Sequence, residues 1–124
     1  MPSELLVTIS SDNPDVRDRS LDELCRDLSP EGLLAACSEL DRFRRSSDNL
    51  YERVRAIFFL NAIYRYHLPP KLPPSTFGLL PFDGYEHLLN RRFGEAIDVF
   101  LNAVERQGIN DTLASGLAAV YYEL

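Results

Sequence analysis

Asn49-Leu-Tyr-Glu-Arg-Val-Arg-Ala-Ile-Phe-Phe-Leu-Asn-Ala-Ile-Tyr-Arg-Tyr-His-Leu-Pro-Pro70 is the stretch on which the fold turns. Asn49 and Glu52 stand at capping-box spacing, so a helix is expected to start at Leu50. Pro69 and Pro70 lack amide donors and end it near His67. Between Ala56 and Tyr64 only Asn61 is strongly polar. A helix apolar on nearly every side belongs in a core, so this one is expected to be buried on most sides at the centre of the domain. The apolar run falls short of the ~20 residues that span a bilayer. It is also flanked by Arg53, Arg55 and Arg65.

The signals on either side are helical too. Ser29-Pro30-Glu31 offers an N-cap, a proline in the first turn and an acid at the positive helix end. Leu33, Leu34, Ala36, Cys37 and Leu40, and then Phe43, form the apolar stripe of that helix, and Arg42, Arg44 and Arg45 occupy its last turns. Ser20 and Glu23 read as a second capping box before a short helix carrying Leu21, Leu24, Cys25 and Leu28. Residues 1–19 read as irregular; Leu6-Val-Thr-Ile9 is β-branched but short and unpartnered. Residues 68–81 form a Pro-rich connection, and Phe77, Leu79, Leu80 and Phe82 predict that it packs on the helices. Beyond it come a short helix from Asp83 to about Arg91 with Tyr85, Leu88 and Leu89 inward, a helix from Arg92 to Gln107 closed by Gly108, and a helix opening at Asn110 or Asp111.

At 124 residues the chain is the size of a single domain with a real core. A net charge of −6 disfavours nucleic acid and anionic membrane as partners, since both call for a basic face. The N-terminus lacks the basic and long apolar regions of a signal peptide, so a cytoplasmic location is expected. Cys25 and Cys37 are too few for a zinc site and read as reduced, buried thiols. His67 and His87 have no Cys, His or carboxylate at metal spacing, and the glycines form no phosphate-cradling loop. No catalytic residue, cofactor or metal ligand is therefore assigned. Arg42, Arg44, Arg45, Arg53 and Arg55 cluster about the Ser46–Asn49 turn. They read either as ion pairs with Asp41, Asp48 and Glu52 or as a partner site, with Arg42, Arg44 and Arg45 the candidates for it.

Phe93, Ala96, Phe100 and Ala103 lie on one stripe at spacings of three, four and three, with Ala114, Leu117, Ala118 and Tyr121 following one repeat on. Residues 92–122 resemble a tetratricopeptide helical hairpin. Ala114 and Gly108 depart from that pattern, and a generic helical hairpin is the alternative, because any antiparallel pair needs small residues at its crossing. Residues 41–70 also resemble the N-terminal helical region of large bacterial UTP–glucose-1-phosphate uridylyltransferase-type proteins, a likeness that implies an enzyme whose catalytic residues lie outside this chain. The helix after Asn110 runs apolar through Val120, Tyr121, Tyr122 and Leu124 with no closing signal. The sequence thus predicts an N-terminal fragment of a longer protein, whose apolar end contacts the rest of the chain or another subunit, or self-associates. The expected whole is all-α, about six helices in a bundle or short superhelix, serving as a non-catalytic interaction or scaffolding module.

Overall fold

The computed structural model describes residues 4–11, 13–17, 20–72 and 82–124. Among these the chain runs α1 (Glu4–Ser10), α2 (Pro14–Arg17), α3 (Leu21–Cys25), α4 (Pro30–Ser46), α5 (Leu50–Ala62), a π-helical turn (Ile63–His67), a 3-10 turn (Pro69–Lys71), α6 (Phe82–Leu89), α7 (Phe93–Gln107) and α8 (Asp111–Glu123). The fold is an all-α helical bundle. No helix among the described residues is long and apolar enough to cross a membrane.

The helix starts follow capping chemistry. Gly32 N donates to Ser29 Oγ at 3.0 Å, Glu52 N to Asn49 Oδ1 at 3.1 Å and Leu113 N to Asn110 Oδ1 at 2.9 Å. Ser20 differs from expectation: its hydroxyl makes no cap bond, and only its carbonyl serves the helix, accepting from Leu24 N at 3.1 Å. Gly108 ends α7 at φ +80 and ψ 170, a conformation nearly confined to glycine.

Within residues 1–19, expected to be irregular, Glu4–Ser10 and Pro14–Arg17 are helical. Leu5 and Ile9 stand four apart, so an α-helix places both on one face, where each is 1 % exposed and packs on α4 and α5. That burial overrides the β-preference of Val7, Thr8 and Ile9, because propensity differences are small beside ~1.5–3 kcal/mol per buried large apolar side chain. Of the Pro-rich connection, Leu68 is fully buried, and residues 73–81, with Phe77, Leu79 and Leu80, lie outside the described residues. The side chain of Tyr85 does too. Lys71 ties the connection down: its Nζ donates to the Cys25 carbonyl at 2.8 Å, to Arg26 O at 3.1 Å and to the Leu28 carbonyl, capping the free end of α3.

The helices pack in the spatial order α4, α5, α8, α7, α6, with α1 across α4 and α5. One continuous core runs from Leu33 and Leu40 through Ala56, Leu60 and Ile63 to Leu117, Ile97 and Phe100. Leu68 N donates to Ile63 O at 2.8 Å across the π turn, and this widened turn brings both Tyr64 and Leu68 inward. Asn61 Nδ2 donates to the Ala118 carbonyl at 2.7 Å, pinning α5 to α8. At the far end Gly84 lets α6 close on α7: a Cβ there would lie 2.8 Å from Phe100 Cδ1.

Two expectations change. Of the apolar end of α8, Val120 and Tyr121 are buried, whereas Tyr122 and Leu124 are exposed. α5 is central but buried on one side only, and its other face meets solvent.

Candidate functional site

The residues picked from the sequence as partner contacts separate into buried and exposed sets. Val120 and Tyr121 are fully buried between α5 and α7 and offer nothing to a partner; apolar character alone does not tell a core position from a docking one. Tyr122 and Leu124 are exposed. Arg42 and Arg45 are exposed and Arg44 is half-buried, and Arg44 and Arg45 both bond to a carboxylate of their own helix.

What Arg44 and Arg45 meet is Asp41, a carboxylate only 7 % exposed. Arg44 Nε donates to Asp41 Oδ1 at 2.8 Å and Arg45 Nε to Oδ2 at 2.9 Å, the i,i+3 and i,i+4 neighbours a helix provides. Arg45 Nη2 also donates to Asp98 Oδ1 at 2.9 Å, reaching α7. From α8 the Tyr121 hydroxyl donates to Asp41 Oδ1 at 2.8 Å, and its ring stacks on Tyr64 at 5.9 Å between centroids and 7° between planes. The Arg44 guanidinium lies 5.5 Å from the Tyr121 ring centre. Burial, and then the Asp41 charge, push the Tyr121 phenol well above its ordinary range. Burial does the same to Tyr64, with the Cys37 thiol beside it adding to the effect. This is a neutralised, internally satisfied network joining α4, the π turn, α7 and α8. The ion-pair reading of Arg44 and Arg45 therefore holds, with Asp98 as the inter-helix partner.

Both cysteine thiols are buried. Cys37 is held far above its usual range by burial, only partly offset by its hydrogen bond with Tyr64. Cys25 is pushed up from 9.0 to about 11 by burial, against the lowering effect of Lys71. Neutral, buried thiols lack the thiolate that redox or acyl chemistry needs. His67 Nε2 lies 3.3 Å from Asp22 Oδ1, and His87 Nδ1 accepts from Arg92 Nε at 2.7 Å. Both histidines thus hold local structure. Among the described residues no group of three or more His, Cys, Asp or Glu side chains converges on a point.

The unspent surface is the outward face of α5. Leu50 is 70 % exposed, Tyr51 58 %, Val54 55 % and Phe58 64 %. At roughly 100° per residue these fall on one stripe, opposite Ala56, Phe59, Leu60 and Ile63. Arg53 borders the stripe on one side and Arg55 on the other. Arg55 is half-buried, its guanidinium 6.0 Å from the Tyr51 ring centre and 5.2 Å from that of Phe59. Its Nη1 is buried without a hydrogen-bond partner. Beyond Asn61 the stripe passes into a hollow of about 350 Å³ bounded by Arg65, Tyr66 and Tyr122. Arg65 and Tyr122 also bound a second hollow of about 490 Å³ that continues to Leu88, Leu89 and Phe93. The near-absence of polar residues from Ala56 to Tyr64 led to the expectation of a helix buried on most sides, whereas Phe58, within that run, is exposed. The signal against it was present: Arg53 and Arg55 interleave with the stripe residues, and arginines flanking a stripe keep that side in water.

Comparison with protein-family models, with curated proteins and with solved structures finds no match for this chain.

Proposed function

We propose that this chain is a non-catalytic helical interaction module of the cytoplasm that docks a partner protein on the outward face of α5. The observation that carries the reading is the exposed stripe itself. At about 200 Å² per aromatic side chain, the exposed parts of Tyr51, Phe58, Tyr66 and Tyr122 amount to roughly 500 Å². That is at the upper end of the ~300–600 Å² patch usual on a monomer, before Leu50, Val54 and Leu89 are counted. A helix face with large apolar side chains three, four and seven apart is the shape another helix packs against.

The arrangement of α6, α7 and α8 supports a tetratricopeptide-like architecture behind that face. Ala96 and Ala103 of α7 are buried, α7 packs on both α6 and α8, and Gly84 gives α6 a close approach to α7. Two buried, unbridged cysteines suit a reducing compartment.

Selection of helical peptides from a displayed random library against the full chain tests the reading. Enriched binders should carry apolar residues at helical spacing, and cross-links from them should fall on Val54 and Phe58. Binders that cross-link elsewhere and keep their affinity for Val54→Asp/Phe58→Asp protein would overturn it.

A further inference from the structure

The charges around the stripe say more about the occupant than its apolar residues do. On α5 and the π turn the charged residues are Glu52, Arg53, Arg55, Arg65 and His67. Glu52 is half-buried, and His67 is engaged with Asp22. Arg53 and Arg65 are exposed, with no ion-pair partner among the described residues, and Arg55 keeps a buried Nη1 without an acceptor. Arg91 joins Arg65 at the second hollow, where Glu123 is the single carboxylate among its described lining residues. A chain of net charge −6 thus sets the exposed apolar stripe of α5 beside exposed arginines.

Resting on the docking face proposed above, we infer that its partner is an acidic amphipathic helix. The partner's apolar residues lie along Val54 and Phe58, and its flanking carboxylates pair with Arg53 on one edge, with Arg55 on the other and with Arg65 at the end of the stripe beyond Asn61. Arginine suits this role, because its planar fork holds a carboxylate through two hydrogen bonds while its stem and face cover aromatic rings. An acceptor reaching Arg55 Nη1 also satisfies a donor that the folded chain leaves unpaired. A second copy of this chain is the poorer occupant: two such faces in a symmetric contact bring Arg53, Arg55 and Arg65 against the same arginines, with Glu52 half-buried.

The test uses three synthetic helical peptides of about five turns with one shared apolar stripe and flanks of Glu, Gln or Lys. Each is titrated against the full chain by fluorescence anisotropy at low and high salt. The Glu peptide should bind about tenfold tighter than the Lys peptide, and the gap should shrink with salt. Arg53→Glu/Arg65→Glu should reverse the order, and Val54→Asp/Phe58→Asp should weaken all three peptides while the melting curve is kept. Equal binding of the Glu and Lys peptides, with the loss in Val54→Asp/Phe58→Asp retained, overturns the acidic partner and leaves the docking face standing. No binding of any peptide, or binding indifferent to Val54→Asp/Phe58→Asp, overturns the docking face itself. Stronger binding to phosphatidylserine-containing vesicles than to any peptide, lost in Arg53→Glu/Arg65→Glu, replaces the protein partner with a lipid surface.

Discussion

Asp41→Asn keeps the size of the side chain at the centre of the buried network and removes its charge. Asn can still accept from Arg44 and Tyr121 through its one remaining oxygen. Its amide nitrogen, however, then faces Arg45 Nε, a donor opposite a donor. The cost falls mainly on Arg44, whose side chain is 13 % exposed and would stay charged without a counter-ion. Arg45 contributes little, being 42 % exposed and retaining Asp98. Breaking a buried pair by removing one partner costs ~3–5 kcal/mol, and a hydrogen bond to a charged group ~1.5–3 kcal/mol. With one oxygen still accepting, the expected loss is about 3 kcal/mol. Guanidinium denaturation measures it as a fall in midpoint at constant slope. Tyr121→Phe, which removes only the phenol donor to the same oxygen, completes a double-mutant cycle with an expected coupling of about 1 kcal/mol or more. If Asp41→Asn costs under about 1 kcal/mol, or if Tyr121→Phe costs as much with Asn at 41 as with Asp, the carboxylate does not hold α4 to α8 and the reasoning fails.

Gly84→Ala should cost about 1–3 kcal/mol despite the better helix propensity of Ala, because the fully buried Phe100 ring has nowhere to go; Phe100→Leu in the same chain should recover part of it. Asn110→Ala, read by thermal melting, should lose about 1–2 kcal/mol, at the upper end for a cap because the site is only 3 % exposed. Phe58→Ser should stay within about 0.5 kcal/mol of the parent, whereas its neighbour Phe59→Ser, 3 % exposed, should cost about 3 kcal/mol or more; equal losses would place the α5 stripe in the core. Stability should fall as pH rises above 9. Cys25 titrates at about 11 in the fold against an ordinary 9.0, so the folded state retains a proton that the unfolded chain releases; Cys37, Tyr64 and Tyr121 are shifted the same way by burial. Denaturation midpoints between pH 8 and 11 check the sign, and Cys25→Ala should flatten the decline; a midpoint rising with pH would reverse the assignment.

What the sequence discloses is whatever a helix decides within its own turns. The caps at Ser29, Asn49 and Asn110, the proline stop after Leu68 and the pairing of Asp41 with Arg44 and Arg45 all involve residues within five of each other, and the structure shows each of them. What stays hidden needs a second element. Leu5 and Ile9 fall in a stretch that reads as irregular until α4 and α5 supply the surface that a helix buries. The phenol of Tyr121 meets Asp41 across 80 positions of sequence, and Gly84 has no visible purpose without the Phe100 ring. The candidate site was missed for the same reason. The apolar residues of α5 differ along the chain only in the arginines beside them, and the helices packed on it, α4, α8 and α1, decide that Leu60 turns inward and Phe58 outward.

The placement of α8 between α5 and α7 has a consequence for how the protein is made. α8 is synthesised after α1 to α7, yet its neighbours in space are α5 and α7, one of them about sixty residues upstream. Until it emerges from the ribosome, Tyr64 lacks the Tyr121 ring that stacks on it and Asn61 lacks the Ala118 carbonyl, while Tyr51, Val54 and Phe58 are exposed on the other side. A nascent chain in that state is sticky on both faces of one helix, and the vulnerable interval lasts a few seconds at ~5–20 residues per second. Slow codons within α6 and α7 would lengthen that interval, and chaperone capture would peak before α8 is translated.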